Sequence, residues 1–85
     1  MNEQEFYKKI TEFIYTISEE AKGIKFTEQD DLLQIGILDS FSMVSLITFL
    51  ESLIATDLPL EEYSLVHFKS LKTIYENIYL KYLIS

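Results

Sequence analysis

Apolar residues recur at helical spacing from the start of the chain: Phe6, Ile10, Phe13, Ile14, Ile17 and Ala21. At about 3.6 residues per turn they fall on one stripe, which predicts an amphipathic helix over residues 3–21. Asn2 is placed to cap it, and Glu5 stands three residues later, as in a capping box. Gly23 is a natural stop. Residues 22–38 then form a long connection. Thr27 and Asp30 can cap a turn or two through Gln34. Leu32, Leu33, Ile35, Ile37 and Leu38 are expected to pin this segment to the core, and Gly36 to allow a turn that other residues disfavour.

The second helical pattern starts near Ser40 and ends near Thr56, with Asp39 as its N-cap. On a helical wheel set at Met43, with about 100° per residue, two faces separate. Met43, Leu46, Ile47, Leu50, Leu53 and Ile54 lie within roughly 80° of one direction, and form the expected core face. Phe41 and Val44 share the other face with Ser45, Thr48, Glu51, Ser52 and Ala55. Two sizeable apolar side chains on a small, polar face suggest a contact surface. The alternative is packing against the preceding loop.

Pro59 separates this helix from the rest. Residues 60–68 are expected to hold a short third helix with Leu65, Val66 and Phe68 turned inward. Ser70 can cap a last helix over residues 71–83, with Leu71, Ile74, Tyr75, Ile78 and Tyr82 as its stripe. Tyr75, Tyr79 and Tyr82 read as amphipathic residues at the core edge, with an interaction surface as the alternative. With two glycines, one proline and little β-type alternation, the prediction is all-α. The expected fold is a small four-helix bundle, three main helices plus one short one, forming a single domain over residues 1–85.

Composition narrows the function. The hydrophobic fraction is 48% with six Phe and six Tyr, too apolar for a disordered chain. The absence of cysteine removes disulfides and thiolate metal sites. No apolar run is long enough for a membrane span. The polar, acidic start MNEQEF is unlike a signal peptide, so a cytoplasmic protein is expected. A net charge of −7, with seven lysines and no arginine, argues against nucleic-acid binding. It suits either basic protein partners or simple solubility.

Candidate chemistry concentrates at Asp39-Ser40, where a loop ends and an apolar helix begins. A helix N-terminus offers unpaired N–H groups and the positive end of the dipole, and both favour a phosphate. The Ser40 hydroxyl is a suitable attachment atom. A Ser-His-Asp arrangement with His67 is formally open, but no G-x-S-x-G elbow frames the serine. His67 beside Phe68 reads as a helix-end or partly buried residue. Asp30-Asp31 lacks the spaced ligands and glycine of a calcium loop, so no metal site is expected. No catalytic group is assigned.

The run Gly36-Ile37-Leu38-Asp39-Ser40-Phe41-Ser42-Met43-Val44 resembles an acyl or peptidyl carrier protein. The stretch Leu32-Leu33-Gln34-Ile35-Gly36 is similar to the segment ahead of that family's attachment site. Leu46 to Glu51 is similar to its second helix, and His67-Phe68-Lys69-Ser70-Leu71 with Ile74 to its third-to-fourth helix junction. The resemblance implies a four-helix bundle of the acyl-carrier type that is not itself an enzyme. It implies 4′-phosphopantetheine joined to Ser40 by a phosphopantetheinyl transferase, with Asp39 capping the helix beside it. The cofactor's thiol would hold an acyl or aminoacyl group as a thioester. Implied partners are an adenylating acyl or aminoacyl ligase, or an acyltransferase, and downstream biosynthetic enzymes. They would meet a monomer through Phe41, Val44, Thr48 and Glu51. The second helix departs from fatty-acid-type carriers: residues 41–56 hold one acid, Glu51, and Ser42 and Ser45 stand where acids are common. That form is more similar to stand-alone carriers of the D-alanyl type. A cofactor-free helical adaptor, binding a protein through the same face, is the alternative from another class.

Overall fold

The computed structural model describes residues 1–84 and is helical throughout its regular elements; Ser85, the last residue of the expected domain, lies outside the described residues. Helix α1 spans Glu3–Ile17 and α2 spans Ser40–Ile54. A third continuous run, α3, joins an α-helical turn at Leu71–Ile74, a π-helical turn at Tyr75–Tyr79 and an α-helical end at Leu80–Ile84. Tight 3₁₀ turns occupy Glu20–Gly23, Leu60–Glu62 and Leu65–Phe68.

The N-terminus of α1 forms as its sequence predicts. Asn2 Oδ1 accepts the Glu5 N–H at 2.8 Å, and the Glu5 carboxylate accepts the Asn2 N–H at 3.4 Å. These bonds satisfy backbone donors that a helix start leaves open. The helix ends at Ile17, four residues before the predicted last helical residue, Ala21. Ser18 turns extended, and its hydroxyl accepts the Ala21 N–H at 3.3 Å. A serine that bonds local backbone competes with helix continuation. Ala21 is buried all the same, through the following 3₁₀ turn.

Phe6, Ile10 and Ile14 of α1 meet Leu46, Ile47 and Leu50 of α2 and Leu71, Ile74 and Ile78 of α3 in one buried cluster. Tyr75, Tyr79 and Tyr82 lie in or against it, as core-edge residues. Tyr79 rests on Phe6, with ring centroids 4.7 Å apart, and its hydroxyl donates to the Met1 carbonyl at 3.2 Å. Phe13 and Phe49 stack between α1 and α2, with centroids 4.3 Å apart and planes 9° from parallel.

After the 3₁₀ turn at Glu20–Gly23, the connection from α1 to α2 is a series of turns around Thr27, Asp30 and Asp31. Asp30 accepts the Thr27 N–H at 2.6 Å, and Asp31 accepts the N–H groups of Leu33 and Gln34, each at 3.0 Å. Aspartates that bond neighbouring amides favour turns over helix. The Leu32 N–H donates to the Lys69 carbonyl at 2.6 Å, and the Lys72 N–H donates to the Glu28 carbonyl at 2.9 Å. The loop is thereby tied to the start of α3. Leu32, Ile37 and Leu38 are buried and Leu33 packs against the core, but Ile35 points outward, against expectation.

The expected third helix over residues 60–68 resolves into two 3₁₀ turns. Phe68 is buried and Leu65 half-buried, but Val66, expected inside, is exposed. A 3₁₀ turn has three residues per turn, so Leu65 and Phe68 share a face that Val66 cannot join.

Candidate functional site

The site is the start of α2 and the face that runs from it. Gly36 has φ +82°, a left-handed conformation that favours glycine. After it the chain sends Ile37 and Leu38 into the core, and both N–H groups donate to the Leu32 carbonyl, at 3.0 and 3.1 Å. Asp39 is thereby left at the surface as the N-cap. Its Oδ1 accepts the Ser42 N–H at 2.9 Å, and its carbonyl accepts the Met43 N–H at 2.9 Å. The Ser42 backbone N–H is the main influence holding the Asp39 carboxyl below its ordinary pKa, with the Ser42 hydroxyl and other backbone donors adding to it. Asp39 is therefore ionised at neutral pH and committed to the cap.

Ser40 is the first residue of α2 and is exposed. Among the described residues no hydrogen bond holds its hydroxyl. Ser40, Val44, Thr48 and Glu51 follow one another along a single stripe of the helix. Phe41 is 87% exposed and Val44 50% exposed, and neither belongs to the buried core. Thr48 is exposed, with its hydroxyl on the Val44 carbonyl at 3.2 Å. Glu51 is half-buried, and its Oε2 accepts the Leu58 N–H at 2.7 Å. That bond gives Glu51 a part in closing the chain after α2. The core face of the same helix is buried as predicted, with Leu46, Ile47 and Leu50 inside and Met43, Leu53 and Ile54 packed against the cluster.

A polar depression of about 230 Å³ lies at the N-cap of α2, lined by Ile17, Ser18, Glu19, Gly36, Ile37, Asp39 and Ser42. A more apolar groove of about 320 Å³ lies beside the Phe13–Phe49 stack, lined also by Lys9, Glu12 and Thr16. Neither was legible in the sequence, because each depends on where the end of α1 meets α2.

His67 caps its own turn: Nδ1 accepts the Ser64 N–H at 3.0 Å, and the ring lies edge-on to Tyr63. No hydrogen bond joins it to Ser40 or to a carboxylate among the described residues. The same residues contain no group of three His, Asp and Glu side chains placed to hold a metal.

The Ser40 hydroxyl is exposed and, among the described residues, unbonded, at the positive end of a helix of 15 residues. No helix among the described residues is long and apolar enough to cross a membrane. Comparison with models of known protein families, with curated proteins and with solved structures finds no match.

Proposed function

We propose that this chain is an acyl or aminoacyl carrier protein that bears 4′-phosphopantetheine on Ser40 and presents a thioester-linked cargo to partner enzymes. The observation that carries the reading is an exposed, unbonded serine hydroxyl at the start of a capped helix, beside two uncovered apolar side chains. The serine oxygen loses its proton and forms a bond to phosphorus, while the diphosphate of coenzyme A breaks and its nucleotide half leaves. A separate transferase catalyses that exchange. When bound, the cofactor supplies the thiol that this cysteine-free chain lacks.

The chain's own residues hold the attachment point. Asp39 fixes the first turn of α2, so the Ser40 backbone has a defined position. Gly36 and the buried pair Ile37 and Leu38 fix the backbone that leads to it. Phe41 and Val44 meet the partner, and Thr48 continues that stripe. The partners are the transferase, an adenylating ligase or acyltransferase, and downstream biosynthetic enzymes, each meeting a monomer. Tethering then makes transfer effectively intramolecular once a partner docks.

Labelling with a fluorescent coenzyme A analogue and a broad-specificity phosphopantetheinyl transferase tests the proposal. Wild type takes up label and Ser40→Ala does not. Label retained by Ser40→Ala contradicts the site. A second reading, a cofactor-free adaptor, draws on the 87% exposure of Phe41. It predicts a folded protein that takes no label.

A further inference from the structure

The 3₁₀ turn Leu65–Phe68 is closed by a histidine at the position where a capping box has Glu or Gln. Ser64 is the N-cap, and its N–H donates to His67 Nδ1 at 3.0 Å. The Ser64 hydroxyl lies 3.4 Å from the same nitrogen. A backbone N–H can only donate. Nδ1 must therefore be the bare nitrogen of a neutral ring, with the proton on Nε2.

Glutamine or ionised glutamate in this place accepts the cap N–H through an oxygen, and does so throughout the neutral range. Imidazole accepts it only while neutral. Protonation puts a hydrogen on Nδ1, aimed at the Ser64 N–H. The cap bond is then lost, and Nδ1 can donate to the Ser64 hydroxyl in its place. The pair thus has two states with opposite hydrogen-bond direction. Imidazole is the side chain whose ordinary titration falls between about pH 5 and 8. His67 is the single histidine of the chain.

The charged and titratable groups around the turn come from several elements. Glu61, Glu62 and Tyr63 precede it. The ring meets Tyr63 edge-on with centroids 5.4 Å apart, and the Tyr63 hydroxyl donates to the Tyr82 hydroxyl. Both α2 and α3 pack against the turn. Helix α2 carries Glu51, which is bonded to the Leu58 N–H, and α3 carries Lys72, Glu76 and Lys81. Lys69 follows the turn and stands 4.0 Å from Asp31. Among the described residues no ion pair joins His67 to any of these, and the hydrogen bonds of its ring go to Ser64 alone.

We infer that Ser64 and His67 form a pH-sensitive latch on the turn between α2 and α3, closed with a neutral ring and released when the ring is protonated. Fully buried Phe68, and the bond from the Leu32 N–H to the Lys69 carbonyl, hold the far end of the turn in both states. Release is therefore local. Acidification frees residues 64–67, one of the segments packed against α2, without unfolding the domain. The latch is independent of any group on Ser40.

The test is an NMR titration of the isotope-labelled protein from about pH 8 to about pH 5, beside a His67→Gln variant. Glutamine keeps the capping box and removes the titration. At the alkaline end the imidazole nitrogen shifts should show a bare Nδ1 and a protonated Nε2. In wild type the Ser64 amide should move with the ring, at the same midpoint, while the Leu32 and Phe68 signals stay in place. In His67→Gln the Ser64 amide should not move. Across the titration the folding constant of wild type should fall about two- to tenfold relative to His67→Gln, the range of one exposed hydrogen bond, in denaturant titrations. The wild-type tautomer and the Ser64 titration decide the question without the variant. A protonated Nδ1 at the alkaline end, or a Ser64 amide that does not follow the ring, would overturn the inference. So would the same dependence of stability on pH in the two proteins.

Discussion

Replacing Gly36 by alanine adds one methyl group to a position with room for it. No heavy atom lies within 4 Å of the Cβ that would be added, so a steric clash contributes nothing. The backbone alone sets the cost. At φ +82° an L-residue is strained, by about 1–2 kcal/mol in the left-handed region. Alanine also narrows the unfolded ensemble, which returns about 0.4–1 kcal/mol. The expected net loss is about 1 kcal/mol, or a fall of about 4–8 °C in melting temperature for a domain of this size. Gly23 provides the control. It also has open space around its Cβ position, but its φ is not in the left-handed region. Gly23→Ala keeps only the unfolded-state effect, so it should leave stability unchanged or raise it by about 0.4–1 kcal/mol. Thermal melts followed by far-UV circular dichroism measure both. A Gly36→Ala variant that melts with or above wild type would refute the reasoning. So would equal losses at the two glycines, which would point to packing in place of backbone conformation.

Four further outcomes follow from the same geometry. Ala55 ends α2 in the left-handed region with φ 55°, so Ala55→Gly should stabilise the protein by up to about 1 kcal/mol in a denaturant titration. Glu51→Ala leaves the Leu58 N–H without its partner and should cost about 1 kcal/mol by the same titration. The Asp39 carboxyl has a folded-state pKa below its unfolded value, so its stabilisation is present at neutral pH and is lost as pH falls through the folded pKa. Asp39→Asn should therefore flatten the acid limb of the stability–pH curve while leaving its shape above pH 6 unchanged. Ser40→Ala, at an exposed first-turn position, should change stability by less than about 0.5 kcal/mol, and a larger loss would mean that the serine has a structural task.

Elements set by local chemistry were legible in the sequence. The Asn2–Glu5 capping box, the Asp39 and Ser70 caps and the left-handed Gly36 each depend on a few neighbouring residues, and each formed. The buried side of α2 followed from its period. The misses share a cause: side chains that bond nearby amides, or a change of helical period. Ser18 ended α1 early, and 3₁₀ geometry turned Val66 outward. The last of these left a position assigned to the core at the surface. The Phe13–Phe49 stack and the π-helical turn at Tyr75–Tyr79 depend on tertiary packing, which periodicity does not encode.

The central claim is that Ser40 carries a phosphopantetheine arm. Intact-protein mass spectrometry, before and after incubation with coenzyme A and a broad-specificity transferase, addresses it most directly. The account predicts a mass gain of one phosphopantetheine per chain, located on Ser40 by peptide fragmentation. No gain on a folded sample, or a gain on any other residue, would contradict it.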